Sequence, residues 1–159
     1  MNAMPSSDIL EKYRKMQERF NLPHLNELKN CFKFDIEENE EIFDQIRNEI
    51  SDRLFNFTEK IIEPLIAGSD SLCCVYEQEM ITEEERVLLF GLYKRIQMLK
   101  WENNLLIIKP DESKNAEWIK KTWEMWNGDI EEKLISLCKK LSNNWKNLRF
   151  EEAETEYNG

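Results

Sequence analysis

The sequence predicts an all-α fold, an up-and-down helical bundle, and three observations predict it. The 159 residues include only four glycines and four prolines, too few turn formers for a hairpin-rich chain. Apolar residues recur at spacings of three and four through three long stretches, about 39–67, 83–108 and 112–149. No segment shows the sustained alternation of a half-buried strand. A chain of this length buries enough apolar surface to fold without metal or disulfide staples, so one domain spanning 1–159 is expected. The ends, 1–5 and 151–159, are expected to be disordered.

In chain order, Ile9, Tyr13, Met16 and Phe20 mark one buried side of a first helix over 7–21. Leu22-Pro23 ends it, because the residue before proline avoids the helical region. Pro23 starts a short helix over 24–32, anchored by Leu25, Leu28 and Phe32. Residues 33–38 form a linker. The long helix over 39–67 carries Ile42, Phe43, Ile46, Ile50, Leu54, Phe57, Ile61 and Leu65 as a stripe. Pro64 should kink or loosen it, and Ala67-Gly68 should stop it. A short helix within 69–81 would turn Leu72, Val75 and Tyr76 inward.

Thr82 and Glu85 have capping-box spacing and open the helix over 83–108. This helix carries two apolar arcs. Leu88, Leu89, Leu92, Tyr93, Ile96 and Leu99 form one, and Val87, Phe90, Met98 and Trp101 the other. Two arcs imply neighbours on two sides, which makes this the expected central helix. Lys109-Pro110 ends it. The stripe of the last helix, 112–149, runs from Ile119 and Trp123 through Ile130 to Leu148 and keeps its phase across Asn127-Gly128. One bent helix is therefore preferred over two.

The net charge of −10 disfavours binding of nucleic acid over the whole surface. A local strip of Lys114, Lys120, Lys121, Lys133, Lys139, Lys140, Lys146 and Arg149 would be the route of a nucleic-acid-associated subunit, but acids alternate with these residues. No signal peptide is visible and no apolar run approaches about 18 residues, so a cytoplasmic chain without membrane association is expected.

Catalytic chemistry has few footholds. Cys31, Cys73, Cys74 and Cys138 match no zinc or redox spacing and read as reduced thiols, with Cys73 and Cys74 expected to be buried and inert. His24 is the only histidine, which excludes the Glu-x-x-His pairs of di-iron bundles and leaves no plausible Cys–His pair. The glycines are too scattered for a phosphate loop, and no cofactor is expected. All-helical nucleotide phosphohydrolases hold magnesium with carboxylate pairs on helices, and Glu38-x-x-Glu41 and Glu49-x-x-Asp52 have that form. Both pairs fall on one helix, however, and Glu41 and Asp52 map opposite its apolar stripe.

The remaining signal is aromatic. Five tryptophans are many for this length. Trp123 and Trp126 belong to the stripe of the last helix, whereas Trp118 lies roughly 120° off its centre, near Thr122 and Met125. Trp118, Thr122 and Met125 are therefore the expected partner-binding residues, with Trp118→Ala expected to leave the fold intact. A non-enzymatic interaction module, binding a protein partner or a second copy of itself, is the function the sequence points to.

Overall fold

The computed structural model describes residues 7–37, 41–68 and 71–149. Among these residues the chain forms helices and no strand. The elements are α1 (Ser7–Phe20), α2 (Leu25–Phe32), α3 (Ile42–Phe57), a π-helical turn (Thr58–Ile62), α4 (Glu63–Ile66), α5 (Leu72–Glu79), α6 (Glu83–Ile108), α7 (Glu112–Met125), a second π-helical turn (Trp126–Ile130) and α8 (Glu131–Asn147). The π turns continue the helices around them, so 42–66 and 112–147 are each one rod. The two rods and α6 make a three-rod bundle. The ends assigned to disorder, 1–5 and 151–159, lie outside the described residues.

Cross-rod contacts establish the up-and-down order. Arg47, early in α3, reaches Asn103, late in α6. Tyr93 Oη donates to Glu63 Oε1 at 3.0 Å, pairing the other ends. Glu102 meets Lys121, Arg95 meets Asp129 and Glu85 meets Lys140, so numbers fall along α6 as they rise along 112–147. Leu28, Ile46, Ile50, Leu54, Ile62, Ile96, Ile119 and Ile130 are wholly buried at the centre. The first two helices cover the rods: Phe20 packs edge-on to Phe43, and Phe32 lies 5.6 Å from the Trp126 ring. Each ends on a residue in the left-handed region, Asn21 and Lys33, both at φ 53°.

The first π turn has a local cause. Pro64 has no N–H, and its ring crowds the carbonyl four residues back. The chain widens just before it, and the Glu63 N–H bonds to Thr58 O, five residues back. The loosening expected at Pro64 takes this form. In the second turn the Glu131 N–H bonds to Trp126 O, again five back. Asn127 Nδ2 donates to Trp123 O at 3.1 Å.

The second π turn overturns one expectation. A π turn inserts one extra residue, so the buried face upstream moves by one position relative to an ideal wheel. Core positions before Trp126 therefore take in Asn115, Trp118 and Thr122, beside Ala116 and the stripe residue Ile119. Trp118 is 3% exposed and Thr122 0%. Trp118 Nε1 donates to Leu99 O at 3.1 Å, and Thr122 Oγ1 to Trp118 O at 2.7 Å. Met125 is partly buried against the core. Trp118 and Thr122 thus present no surface to a partner, and Trp123 is the one displaced to partial exposure.

Two further placements differ from expectation. Helix α5 buries no residue, and Leu72 and Val75 face solvent instead of turning inward. Polar contacts hold it: Gln78 Nε2 donates to Pro64 O at 2.8 Å and to Ala67 O at 2.7 Å, capping the end of α4. Tyr76 meets the Trp145 ring edge-on, and Trp145 Nε1 donates to Glu77 Oε1 at 2.9 Å. Helix α6 is flanked on one side only. Its first arc is buried except at Leu88, which is exposed, and Tyr93, which is half-buried, while Val87, Phe90, Met98 and Trp101 are uncovered.

Candidate functional site

The uncovered side of α6 is the most distinctive surface among the described residues. Thr82 and Glu85 start the helix with a reciprocal box. Thr82 N–H donates to Glu85 Oε2 at 2.8 Å, and Glu85 N–H to Thr82 Oγ1 at 3.2 Å. Leu89, Leu92, Ile96, Leu99, Asn103 and Leu106 then face the bundle. On the opposite side stand Val87, Phe90, Met98, Trp101, Leu105 and Ile108, all exposed, with Trp101 at 69% and Ile108 at 80%. Solvated helices are normally polar on this side.

The spacing of that strip is regular. Val87, Gly91, Lys94, Met98, Trp101, Leu105 and Ile108 follow one another at four and three residues in alternation. This alternation is the spacing found along the contact strip of paired helices. Phe90 stacks on Tyr93 beside it, ring centroids 6.3 Å apart. A shallow groove of about 590 Å³ runs along it between Phe90 and Leu105. Lys94 is the only charge in the seam and makes no ion pair among the described residues. Arg95 and Glu102 form one border. Arg95 reaches Asp129, and Glu102 takes Lys121 Nζ at 2.8 Å. Lys133 and Arg95 together hold the Asp129 carboxyl below its usual range. The Tyr93 hydrogen bond to Glu63 pushes the phenol pKa up, so Tyr93 stays neutral.

A second groove, about 410 Å³, lies between α6 and α8. Leu88, Leu89, Leu92 and Leu137 floor it, and four of its rim charges are paired: Lys133 with Asp129 at 2.6 Å, and Lys140 with Glu85. Lys140 and the Thr82 N–H hold Glu85 below the usual carboxylate range.

The carboxylates considered for magnesium are not gathered. Glu41, Glu49 and Asp52 are all exposed, and Glu38 lies outside the described residues. No set of three or more His, Cys, Asp or Glu among the described residues is arranged to hold a metal ion. Three lysines of the basic strip, Lys121, Lys133 and Lys140, are tied to acids. Cys73 is exposed and Cys74 half-buried, against the expectation that this pair is buried, and Cys138 is exposed. A hydrogen bond to Glu77 pushes the Cys73 thiol pKa up, away from a reactive thiolate. His24 spans Gln17 and the start of α2: its Nδ1 lies 2.9 Å from Gln17 Nε2, and its N–H donates to Glu27 Oε2. None of the helices among the described residues is long and apolar enough to cross a membrane.

No family model, no curated protein and no solved structure matches this chain. The site therefore rests on its own geometry. The apolar arc that marks it is visible in the sequence at Val87, Phe90, Met98 and Trp101. What the wheel lacks is any sign that this arc, and not Trp118, stays uncovered.

Proposed function

We propose that the chain is a non-enzymatic helical interaction module, a subunit or adaptor, that docks through the outer side of α6. One observation carries the reading: an exposed apolar seam over most of a 26-residue helix, with helix-pairing spacing. Exposed apolar side chains are common singly, but a continuous strip of this length is a mark of interaction sites. Trp101 and Met98 at its centre are of the types that anchor interfaces. The dispersal of the carboxylates supports this reading over a magnesium-dependent phosphohydrolase. The ion-paired lysines support it over a nucleic-acid-associated subunit.

The test is affinity capture with the tagged chain from its own cells, with and without nuclease, beside Trp101→Glu. Trp101 is solvent-facing, so the variant should keep its Tm and lose a nuclease-resistant protein bound in stoichiometric amount. Capture unchanged by Trp101→Glu would remove α6 as the docking face. Capture lost to nuclease would move the function to nucleic acid.

A further inference from the structure

The seam of α6 has properties that select its occupant. Lys94 lies within it, so a parallel pairing with a second copy would set Lys94 against Lys94 in an apolar interface. An antiparallel pairing removes that clash. With Met98 facing Trp101 of the second copy, the two-fold axis passes between residues 99 and 100. Each sulfur then meets an aromatic ring, twice per dimer. In the same register Lys94 faces Leu105, so its methylene stem packs while the ammonium reaches outward. Gly91 faces Ile108, the most exposed large apolar residue among the described residues.

The borders agree with this register. Arg95 and Glu102 lie on one edge of the strip, seven residues apart, with side chains 43% and 41% exposed. Reversal of the second helix brings the exposed part of Arg95 beside Glu102 of the other copy, and Glu102 beside Arg95, so the protomer's own Arg95–Asp129 and Glu102–Lys121 pairs would join into one alternating row of charges. Gln97 and Asn104 on the other edge meet in the same way. The order of its border charges is thus complementary to itself, as a two-fold interface requires.

Gly91 adds an independent point. It sits inside a long helix, where glycine is unfavourable relative to alanine. A Cβ built there would meet nothing within 4 Å in this chain. Among the described residues no side chain or backbone of another element occupies the space a Cβ would take at this position. That open space leaves room for a side chain from outside, such as Ile108 of a second copy. The exposed parts of Val87, Phe90, Met98, Trp101, Leu105 and Ile108 offer on the order of 700 Å² per copy, close to the roughly 800 Å² each partner contributes to a standard interface.

We propose that the occupant of this face is a second copy of the chain, joined through an antiparallel two-fold α6 pair centred on Met98 and Trp101. This rests on the reading of α6 as the docking face. Sedimentation of the full chain over a wide concentration range tests it. The wild type should form a dimer, and Trp101→Glu should weaken it by at least about thirtyfold with unchanged Tm. Gly91→Ala should raise the Tm of the dilute monomer yet weaken the dimer. With Cys31, Cys73, Cys74 and Cys138 replaced by Ser, Gly91→Cys combined with Ile108→Cys should give an interchain disulfide on oxidation. The two positions lie roughly 25 Å apart on one helix, so the bond cannot form within a chain.

A monomer at every concentration would overturn the second copy as occupant. Protein capture that still depends on Trp101 would in that case leave the docking face standing. A dimer indifferent to Trp101→Glu would overturn both. A Trp101-dependent dimer that crosslinks through Gly91→Cys alone would be parallel and would overturn the antiparallel register.

Discussion

At the scale of single residues, Arg47 is the least expected feature of the interior. Its side chain is 2% exposed, and its guanidinium donates to Asn103 and, at 2.9 Å, to Asp44 Oδ1. A buried cation tolerates replacement by an apolar group of similar volume better than the loss of its partner. Asn103→Leu should therefore cost on the order of 3 kcal/mol, and Arg47→Met less than half of that, as chemical denaturation would measure. Trp118 makes the complementary case. Trp118→Ala opens a cavity and removes the hydrogen bond to Leu99 O, so it should cost about 3–5 kcal/mol. That outcome is opposite to the mild one its off-stripe position suggests. Lys33 holds a left-handed backbone at φ 53° at the end of α2, where glycine carries no Cβ penalty. Lys33→Gly should gain roughly 0.5 kcal/mol, read as a rise in Tm.

At the scale of elements, periodicity served where helices are regular and failed where they are not. Thr82 and Glu85 form the box their spacing implies. Thr82→Ala should cost about 1 kcal/mol and fray the start of α6, seen as faster amide exchange over 83–86. The wheel of 112–149 assumes a constant angle per residue. The π turn at 126–130 adds one residue, which moves Trp118 into the core and Trp123 towards the surface. Nothing in the residue types at Trp126-Asn127-Gly128 announces an i→i+5 turn, because packing against Phe32 and Phe57 helps hold Trp126 in place. Helix α5 fails for another reason: eight residues held through Gln78, Tyr76 and Glu77 need no buried stripe.

At the scale of the whole molecule, three ion pairs join α6 to the 112–147 rod, and two of their carboxylates, Glu85 and Asp129, are held below the ordinary values of 4.5 and 3.8. A depressed carboxylate contributes stability that is complete above its unfolded pKa and is lost as pH falls through the folded one. Tm should thus be flat from neutrality to about pH 5 and fall on further acidification. Lys140→Met should lower the neutral plateau slightly and shrink the acid-dependent loss. Thermal melts across pH, wild type beside variant, check this. The effect is modest because both carboxylates are partly solvated.

The all-helical class, the three rods and their antiparallel order followed from the sequence by itself, because a 3.6-residue repeat with few breakers permits little else. So did the two apolar arcs of α6. Which arc would find a neighbour was decided only by tertiary structure. An apolar strip is equally apolar whether the chain covers it or leaves it to another molecule. Its fate depends on how many helices the chain has left to place there, and on which way a π turn rotates them. The bundle uses its rods on the Leu89–Leu99 arc, and the Val87–Ile108 seam remains open.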